Sequence, residues 1–265
     1  MIIPVLVITH PHMKKIRLRI PGSLGSALGA ELDMPEQTKP HAWAIFAHCF
    51  TCSRNLKAFH IICEHLAQNG IAVLRFDFTG IGDSEGDFSQ TNFATDIDDI
   101  VAVSEYMAAN YAAPQLLIGH SMGGTAMLKA AERIPSCMAA VTIAAPADPG
   151  HVARHFIGLR PEVHRIGHAR FTMGGNHFTI GEKFFQDLTY PDDGSVLDSF
   201  QKPLMICHSL DDDMLDFDHA ERLHRHAGKP SSIVSLDNSD HLLSQKPDAE
   251  YVADLIAGWA RRYIP

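Results

Sequence analysis

The chain is poor in three features that mark particular classes of protein. None of its apolar runs approaches the roughly 20 residues that a membrane-spanning helix needs, so we expect no membrane partner. Lys and Arg number 22 against 31 Asp and Glu, and the net charge of −9 argues against a nucleic-acid partner. There are five cysteines, an odd count that argues against a disulfide framework. The apolar start lacks the basic residues and cleavage site of a secretory signal, so we predict a cytoplasmic protein.

The sequence is instead rich in short β-type runs that alternate with longer helical runs. This alternation predicts an α/β fold with a mostly parallel eight-stranded sheet and helices on both faces. No repeat or Pro/Ser-rich linker interrupts the pattern, so we predict a single domain over residues 1–265, with the place of residues 1–12 left open. The expected strands are 14–20, 27–33, 42–48, 71–78, 115–120, 139–145, 203–208 and 231–236, and the expected helices are 54–69, 93–110, 122–133, 216–226 and 247–262.

One segment, 148–200, departs from this alternation. It contains a helical stretch at 152–157 and two β-type runs that flank Gly174 and Gly175, a pattern that predicts a hairpin. Because the segment follows the sixth strand, we expect a small lid-like insertion there. A surface excursion with no role in substrate choice is the alternative.

The most informative motif is the G-x-S-x-G pentapeptide at 119–123, which ends an apolar run and opens an Ala-rich helical run. In a nucleophile elbow, a strand turns sharply into a helix, so the serine hydroxyl is exposed and the flanking glycines prevent collisions. The helix N-terminus then points amides at an anion on the substrate. We therefore predict that Ser121 is the nucleophile of a serine hydrolase and that Met122, the next residue, supplies one oxyanion-hole amide.

An elbow serine needs a base and an orienting carboxylate, and α/β-hydrolases carry them in the order Ser, acid, His. Two later strands end where these groups belong. The strand at 203–208 leads to three aspartates, and the strand at 231–236 leads to His241. Both strand ends should lie at the sheet edge that carries Ser121, so we predict that His241 is the base.

The acid must be chosen from three adjacent aspartates, Asp211, Asp212 and Asp213. The spacing H-G-x-x-D, counted from His208, selects Asp212. Asp211 remains the main competitor, and the flanking carboxylates would cap the loop or face solvent.

Together these segments resemble the α/β-hydrolase superfamily over nearly the whole chain. The closer resemblance is to the serine-hydrolase module that is fused to, or partnered with, an OsmC-like hydroperoxide-reducing domain. It implies hydrolysis of small carboxylic esters through an acyl-enzyme, with a small-molecule ester as substrate and a functional link to an OsmC-like protein. The residues that carry it are 48–53, 75–80, 119–124, 145–149 with 151–152, 178–180 and 239–243.

The same resemblance bears on the loop that follows the third predicted strand. The family pattern there is His-Gly followed by the second oxyanion donor, so the resemblance implies that Phe50 donates its amide and that its ring lines the acyl pocket. Cys49 stands where most α/β-hydrolases have Gly. His48 and His120 are expected to make structural hydrogen bonds, and the R-x-D-x-x-G-x-G-x-S pattern from Arg75 is expected to be a Gly-rich turn held by Asp and Ser.

Several alternatives remain open at this point. Thioesterases and amidases use the same catalytic groups. Cys49 and Cys52 form a C-x-x-C between a strand and a helix, which would suit a redox protein or, more simply, a hydrolase modulated by oxidation. His151 and His155 have metal-ligand spacing but lack an H-E-x-x-H motif, so we expect no metal and no cofactor. A non-catalytic binding module is the fourth alternative, and the oligomeric state, including a homo-oligomer, is undetermined.

Overall fold

The computed structural model describes residues 7–10, 13–190 and 197–265. Its elements are, in chain order, β1 (Val7–His10), β2 (Met13–Pro21), β3 (Ala27–Pro35), β4 (Ala42–Ala47), α1 (Lys57–Gln68), β5 (Ile71–Phe76), α2 (Phe93–Asn110), β6 (Leu116–His120), α3 (Met122–Ala130), β7 (Ala139–Ile143), α4 (Gly150–His155), α5 (Arg160–Ile166), β8 (His168–Met173), β9 (Asn176–Gly181), β10 (Leu204–Ser209), α6 (Asp218–His226), β11 (Ser231–Leu236) and α7 (Lys246–Ala260). Short 3₁₀ turns lie at Phe88–Gln90, Ile157–Leu159 and Glu182–Thr189.

The main sheet has the order β1-β2-β3-β5-β4-β6-β7-β10-β11. Strands β5, β4, β6, β7, β10 and β11 are parallel, and β1, β2 and β3 add antiparallel at one edge. The predicted α/β-hydrolase fold is therefore confirmed. Its eight expected strands are all present, and Val7–His10, within the segment whose place was open, supplies a ninth by pairing with β2. Residues 1–6 and 11–12 lie outside the described residues.

The central strands are mostly apolar because helices cover both faces of the sheet. Every residue of β5, β6, β7 and β10 is buried, as expected for a parallel sheet. Helices α1 and α7 cover one face, with Ile62 and Ile256 in the same core. Helices α2, α3 and α6 cover the other, with Ile100 and Met127 in a second core.

The excursion between β7 and β10 contains α4, α5, the predicted hairpin and a 3₁₀ turn. Strands β8 and β9 form a separate two-stranded sheet in which Phe171 pairs with Phe178. Gly174 and Gly175 form its turn with φ values of +56° and +78°, a backbone region that favours glycine. The hairpin prediction is confirmed. Residues 191–196, also part of the predicted insertion, lie outside the described residues.

The cysteines differ from the sequence expectation. Cys49 and Cys52 form a disulfide, although the odd cysteine count argued against a disulfide framework. The count misled because a bridge between residues three positions apart is a local feature of one loop. Cys63, Cys137 and Cys207 are free and buried.

Over the ranges that the structure describes, no helix is both long enough and apolar enough to cross a membrane.

Candidate active site

Ser121 lies in the strained turn that its motif predicts. It follows the last residue of β6 and precedes the first residue of α3, with φ 51° and ψ −129°. A positive φ is rare for a residue with a side chain and persists where the surroundings hold it. The Ser121 amide donates to Ile143 O at 2.8 Å, and its carbonyl accepts from Gly124 N at 2.8 Å. The neighbouring strand and the first turn of α3 thus hold the serine in this conformation.

The glycines around Ser121 are required by close packing of backbone against backbone. A Cβ on Gly119 would overlap Gly123, and a Cβ on Gly123 would overlap the carbonyl oxygen of His48 at the end of β4. A Cβ on Gly124 would lie 2.7 Å from the Cβ of Ala145. The elbow is therefore pressed directly against the loop that follows β4.

His241 and Asp212 are hydrogen-bonded to each other. The His241 Nδ1 lies 2.8 Å from Asp212 Oδ2 and 3.1 Å from Oδ1, and the two side chains are 6% and 1% exposed. Burial opposes ionisation of Asp212, but the hydrogen bond and charge of His241 and the amides of Met214 and Leu215 outweigh it, so its pKa is lowered. The carboxylate is thus ionised beside the imidazole and can hold a proton on Nδ1.

The other two aspartates of this loop have different surroundings. Asp211 is exposed, and its Oδ2 accepts from Asn238 N at 2.9 Å, which ties the β10 loop to the β11 loop. Asp213 is exposed and lines the cavity described below. Among the three, the structure brings Asp212 to His241.

Two buried histidines next to these groups make structural hydrogen bonds. His120 Nε2 donates to His241 O at 2.7 Å, and burial lowers the His120 pKa to about 3. His48 Nδ1 donates to Cys49 O at 2.7 Å while its Nε2 accepts from Phe78 N at 3.1 Å, and burial lowers its pKa. Both rings are neutral near pH 7 and fix backbone positions, which confirms the structural role expected for them.

The loop after β4 is anchored by a buried ionic network that sequence inspection did not find. Arg54 pairs with Asp77 and, at 2.6 Å, with Asp83, and its amide donates to Asp77 Oδ1 at 2.6 Å. Arg75 donates to Arg54 O at 2.9 Å. The expected turn is present, with Ser84 Oγ donating to Asp77 O at 2.6 Å. This turn also holds the loop after β4 in place. The feature of the sequence that could have indicated this is Arg54 at the end of that loop, which pairs with Asp77 of the turn.

The two predicted oxyanion donors lie at the ends of the segments that this packing brings together. Met122 begins α3, and Phe50 lies within the loop closed by the Cys49–Cys52 disulfide. Within the described chain, neither the Phe50 nor the Met122 amide donates to a carbonyl or side chain. Both amides are therefore free to bind an anion.

Phe50, Ser121 and His241 border one cavity of about 1130 Å³, slightly larger than most small-molecule sites. Ser121 and His241 line it together, so the structure places the predicted nucleophile and base at the same cavity. The excursion after β7 supplies part of the wall, through Val152, Phe156 and the hairpin residues Met173 and Phe178. Sequence inspection placed these residues in the expected insertion but assigned none of them to the cavity wall.

A cluster with metal-ligand chemistry lies beside this cavity. One ligand atom from each of Asp148, His151 and His219 lies within 4.8 Å of the others. However, His219 Nδ1 accepts from Ala147 N at 3.1 Å and lies 2.9 Å from an Arg222 nitrogen, so a neutral ring carries its proton on Nε2. Burial and the Arg222 charge lower the pKa of His219 to about 3. This hydrogen bonding fits a packed polar cluster better than a cation site.

A buried His-Asp pair and an elbow serine at one cavity, on this sheet topology, define an α/β serine hydrolase. The chain belongs to the α/β serine hydrolase superfamily. Residues 38–165 match the family model described as serine aminopeptidase, S33. The solved esterase domain of a Rhodothermus marinus protein is 39% identical, has a TM-score of 0.76, and the match covers 95% of this chain and 99% of that domain.

Curated relatives are more distant. The uncharacterized protein YfhR of Salmonella typhi is 23% identical over 202 residues, and the match covers 76% of this chain and 65% of that protein. Palmitoyl-protein thioesterase ABHD10 of Rattus norvegicus is 23% identical over 215 residues, with 77% of this chain and 70% of that protein covered. The chain thus spans less than two thirds of the length of YfhR.

Proposed function

We propose that the protein hydrolyses small carboxylic esters through an acyl-enzyme intermediate. Ser121 is the nucleophile, His241 the general base and Asp212 the orienting carboxylate. The observation that carries the proposal is the buried His241–Asp212 pair, 2.8 Å apart, at the cavity that Ser121 also lines. A nucleophile, a base and an orienting acid are the minimum set for acyl transfer from a weakly acidic hydroxyl.

The hydrogen bond to Asp212 assigns the proton transfers. It holds a proton on His241 Nδ1, so Nε2 is the nitrogen that takes the proton from Ser121 Oγ as the Oγ–carbonyl bond forms. The same proton then passes to the leaving alcohol oxygen as the ester C–O bond breaks. Water repeats the sequence on the acyl-enzyme, releasing the acid and restoring Ser121.

The amides of Phe50 and Met122 would bind the negative oxygen of each tetrahedral intermediate. Their support is that both lack an internal acceptor among the described residues, while the disulfide, His48 and Arg54 fix the loop that carries Phe50. Donors held in place before the reaction do not reorganise when the charge develops, and one such donor contributes roughly 3–4 kcal/mol.

We further propose that the chain is one hydrolase domain in which segment 148–200 acts as a small lid. The support is that α4 and the β8–β9 hairpin both line the cavity. The total cavity volume exceeds what a small ester needs. The expectation of a small acyl group therefore rests on the phenyl rings of the wall.

Thioester and amide hydrolysis are the alternatives on the same groups. The likeness to the thioesterase ABHD10 favours the first, and the match to the aminopeptidase model favours the second. The likeness to the Rhodothermus marinus esterase domain, at 39% identity, favours an ester. A functional link to an OsmC-like protein, a cytoplasmic location and modulation through Cys49 and Cys52 remain predictions from the sequence.

The experiment is steady-state hydrolysis of p-nitrophenyl esters from acetate to palmitate beside an acyl-CoA panel, for wild type and Ser121→Ala. We expect the esters of short acids to be hydrolysed fastest and Ser121→Ala to lose on the order of 10⁴–10⁶ in kcat. A Ser121→Ala variant that keeps a tenth of the activity would refute the nucleophile. Rates that climb steadily towards palmitate would refute the small acyl group.

A further inference from the structure

Phenyl rings form one part of the cavity wall. Phe50, Phe156 and Phe178 all line the cavity and are partly exposed. Phe50 and Phe156 have ring centroids 5.6 Å apart. The first ring belongs to the loop beside Ser121, and the other two belong to the excursion after β7.

Further rings support these three from behind. Phe184 is 4% exposed and lies 5.4 Å from Phe50, and Phe171 lies parallel to Phe50 at 6.2 Å. Phe171 and Phe178 are partners across the hairpin, with centroids 5.5 Å apart. None of these supporting contacts depends on a bound molecule, so the ring surface is already formed before a substrate enters.

A preformed surface of this kind discriminates by shape. An aryl group can meet rings at 4.5–7 Å in offset or edge-on geometry and gains attraction beyond simple burial of apolar area. A flexible alkyl chain of similar size must lose rotamer freedom to lie against the same surface. The surface therefore favours a flat, rigid group.

The side of the ester that meets the rings follows from the chemistry. Phe50 donates the amide that holds the carbonyl oxygen, so its ring is close to the carbonyl carbon. The leaving alcohol must depart beside His241, which protonates it. Among the described residues the ring of His241 contacts that of His120, at 5.0 Å between centroids, and no phenyl ring of this cluster. The acyl group, which stays on Ser121, is then the part that lies against the rings.

We propose that Phe50, Phe156 and Phe178 form a subsite for the aromatic ring of an aryl-alkanoic acyl group, so that small aryl-acyl esters are the substrate class of this hydrolase. This inference rests on the proposed ester hydrolysis, and its test is arranged so that the two can fail separately.

The test compares matched esters by pH-stat titration with the wild-type protein. We expect kcat/KM for ethyl 3-phenylpropanoate to exceed that for ethyl hexanoate by roughly two- to twelve-fold, the range for an aromatic pair beyond area burial. Phenethyl acetate and hexyl acetate place the ring, or the alkyl chain matched to it, on the alcohol. Their kcat/KM values should differ by less than about twofold, because an alcohol group does not reach the rings.

Two variants remove a ring while keeping apolar volume, Phe156→Leu and Phe178→Leu. Each should bring the acyl ratio towards one. The matched control is Phe185→Leu, because Phe185 is 3% exposed, packs on Phe184 at 5.4 Å and is not among the described cavity-lining residues. It should lower thermal stability and leave the ratio unchanged.

Calorimetric binding of 3-phenylpropanoate and hexanoate to wild type gives a readout that does not need turnover. Tighter binding of the aryl acid supports the subsite even if neither ester is hydrolysed, an outcome that would refute only the proposed function. Equal kcat/KM values for the two ethyl esters together with equal binding of the two acids would overturn the subsite. A ratio that both ring variants leave unchanged would also overturn it.

Discussion

Replacing Asp212 with asparagine should almost abolish turnover while changing little of the structure. Asp212 Oδ1 accepts from Met214 N at 2.9 Å and Leu215 N at 2.8 Å, and these two amides leave room only for an acceptor there. An asparagine must therefore place its carbonyl oxygen at that position and its NH₂ group against His241. His241 Nδ1 would then become an acceptor and its proton would move to Nε2.

That tautomer cannot take a proton from Ser121. The comparable change in serine hydrolases lowers kcat on the order of 10⁴-fold, or about 5 kcal/mol in the activation free energy. Asp211→Asn is the matched control, because among the described residues the Asp211 carboxylate accepts from Asn238 N alone, and an asparagine oxygen can also accept that bond. We expect it to retain activity within roughly tenfold, since a single neutral hydrogen bond contributes about 1 kcal/mol.

The assay is kcat for p-nitrophenyl acetate at pH 8, with circular dichroism and thermal melts to establish that each variant folds. A folded Asp212→Asn variant within tenfold of wild type would refute the orienting role. If Asp211→Asn proved the more damaging change, the acid would be assigned to the wrong aspartate.

Three other predictions follow from the same structure. Because the oxidised loop already leaves the Phe50 amide free, reducing the Cys49–Cys52 disulfide should lower kcat, and reoxidation should restore it. The loss should not exceed roughly 10²–10³-fold, the cost of losing one oxyanion donor. Gly123→Ala should abolish activity or folding because its Cβ would overlap the His48 carbonyl, measured by kcat and thermal melts. Burial raises the pKa of Asp187 to about 7, so this carboxyl stabilises the fold less as pH rises from about 4 to above 7. The free energy of unfolding of Asp187→Asn, relative to that of wild type, should therefore rise by about 2–3 kcal/mol between pH 5 and pH 8, measured by urea denaturation.

Each of these three has an opposing result. Complete reduction of the disulfide is established by mass spectrometry. If kcat is unchanged in the reduced protein, the bridge serves only packing. A Cys49→Ser/Cys52→Ser variant should be insensitive to reductant. A Gly123→Ala variant with wild-type melting and turnover would contradict the close approach to His48. A stability difference between Asp187→Asn and wild type that does not vary with pH would mean that the native carboxyl is ionised.

The sequence was sufficient to predict the sheet, because its central strands are buried on both faces and are therefore mostly apolar. It also predicted the elbow around Ser121 and the loop that carries His241, since glycine spacing and strand ends leave local marks. The expected starts at 93 and 122 match the structure, and the least accurate start is that of the first helix. The first helix was expected at 54 but begins at Lys57, because Arg54 is held by Asp77 and extends the loop.

Other features depend on contacts between distant segments and leave no local mark. The Arg54–Asp77 pairing joins residues 23 positions apart. The ring cluster joins Phe50 to Phe156 and Phe178 across more than 100 residues, so no window of sequence contains it. The disulfide was missed because a count of cysteines says nothing of a local bridge.

The central claim is that Ser121 carries the acyl group during turnover, and mass spectrometry of the labelled protein and its peptides tests it most directly. The protein is treated with one equivalent of a fluorophosphonate, digested, and the modified residue located. The account predicts one adduct per chain, on the peptide that contains Ser121, formed together with loss of esterase activity and absent from Ser121→Ala. An adduct on another residue, or full activity in the labelled protein, would contradict it.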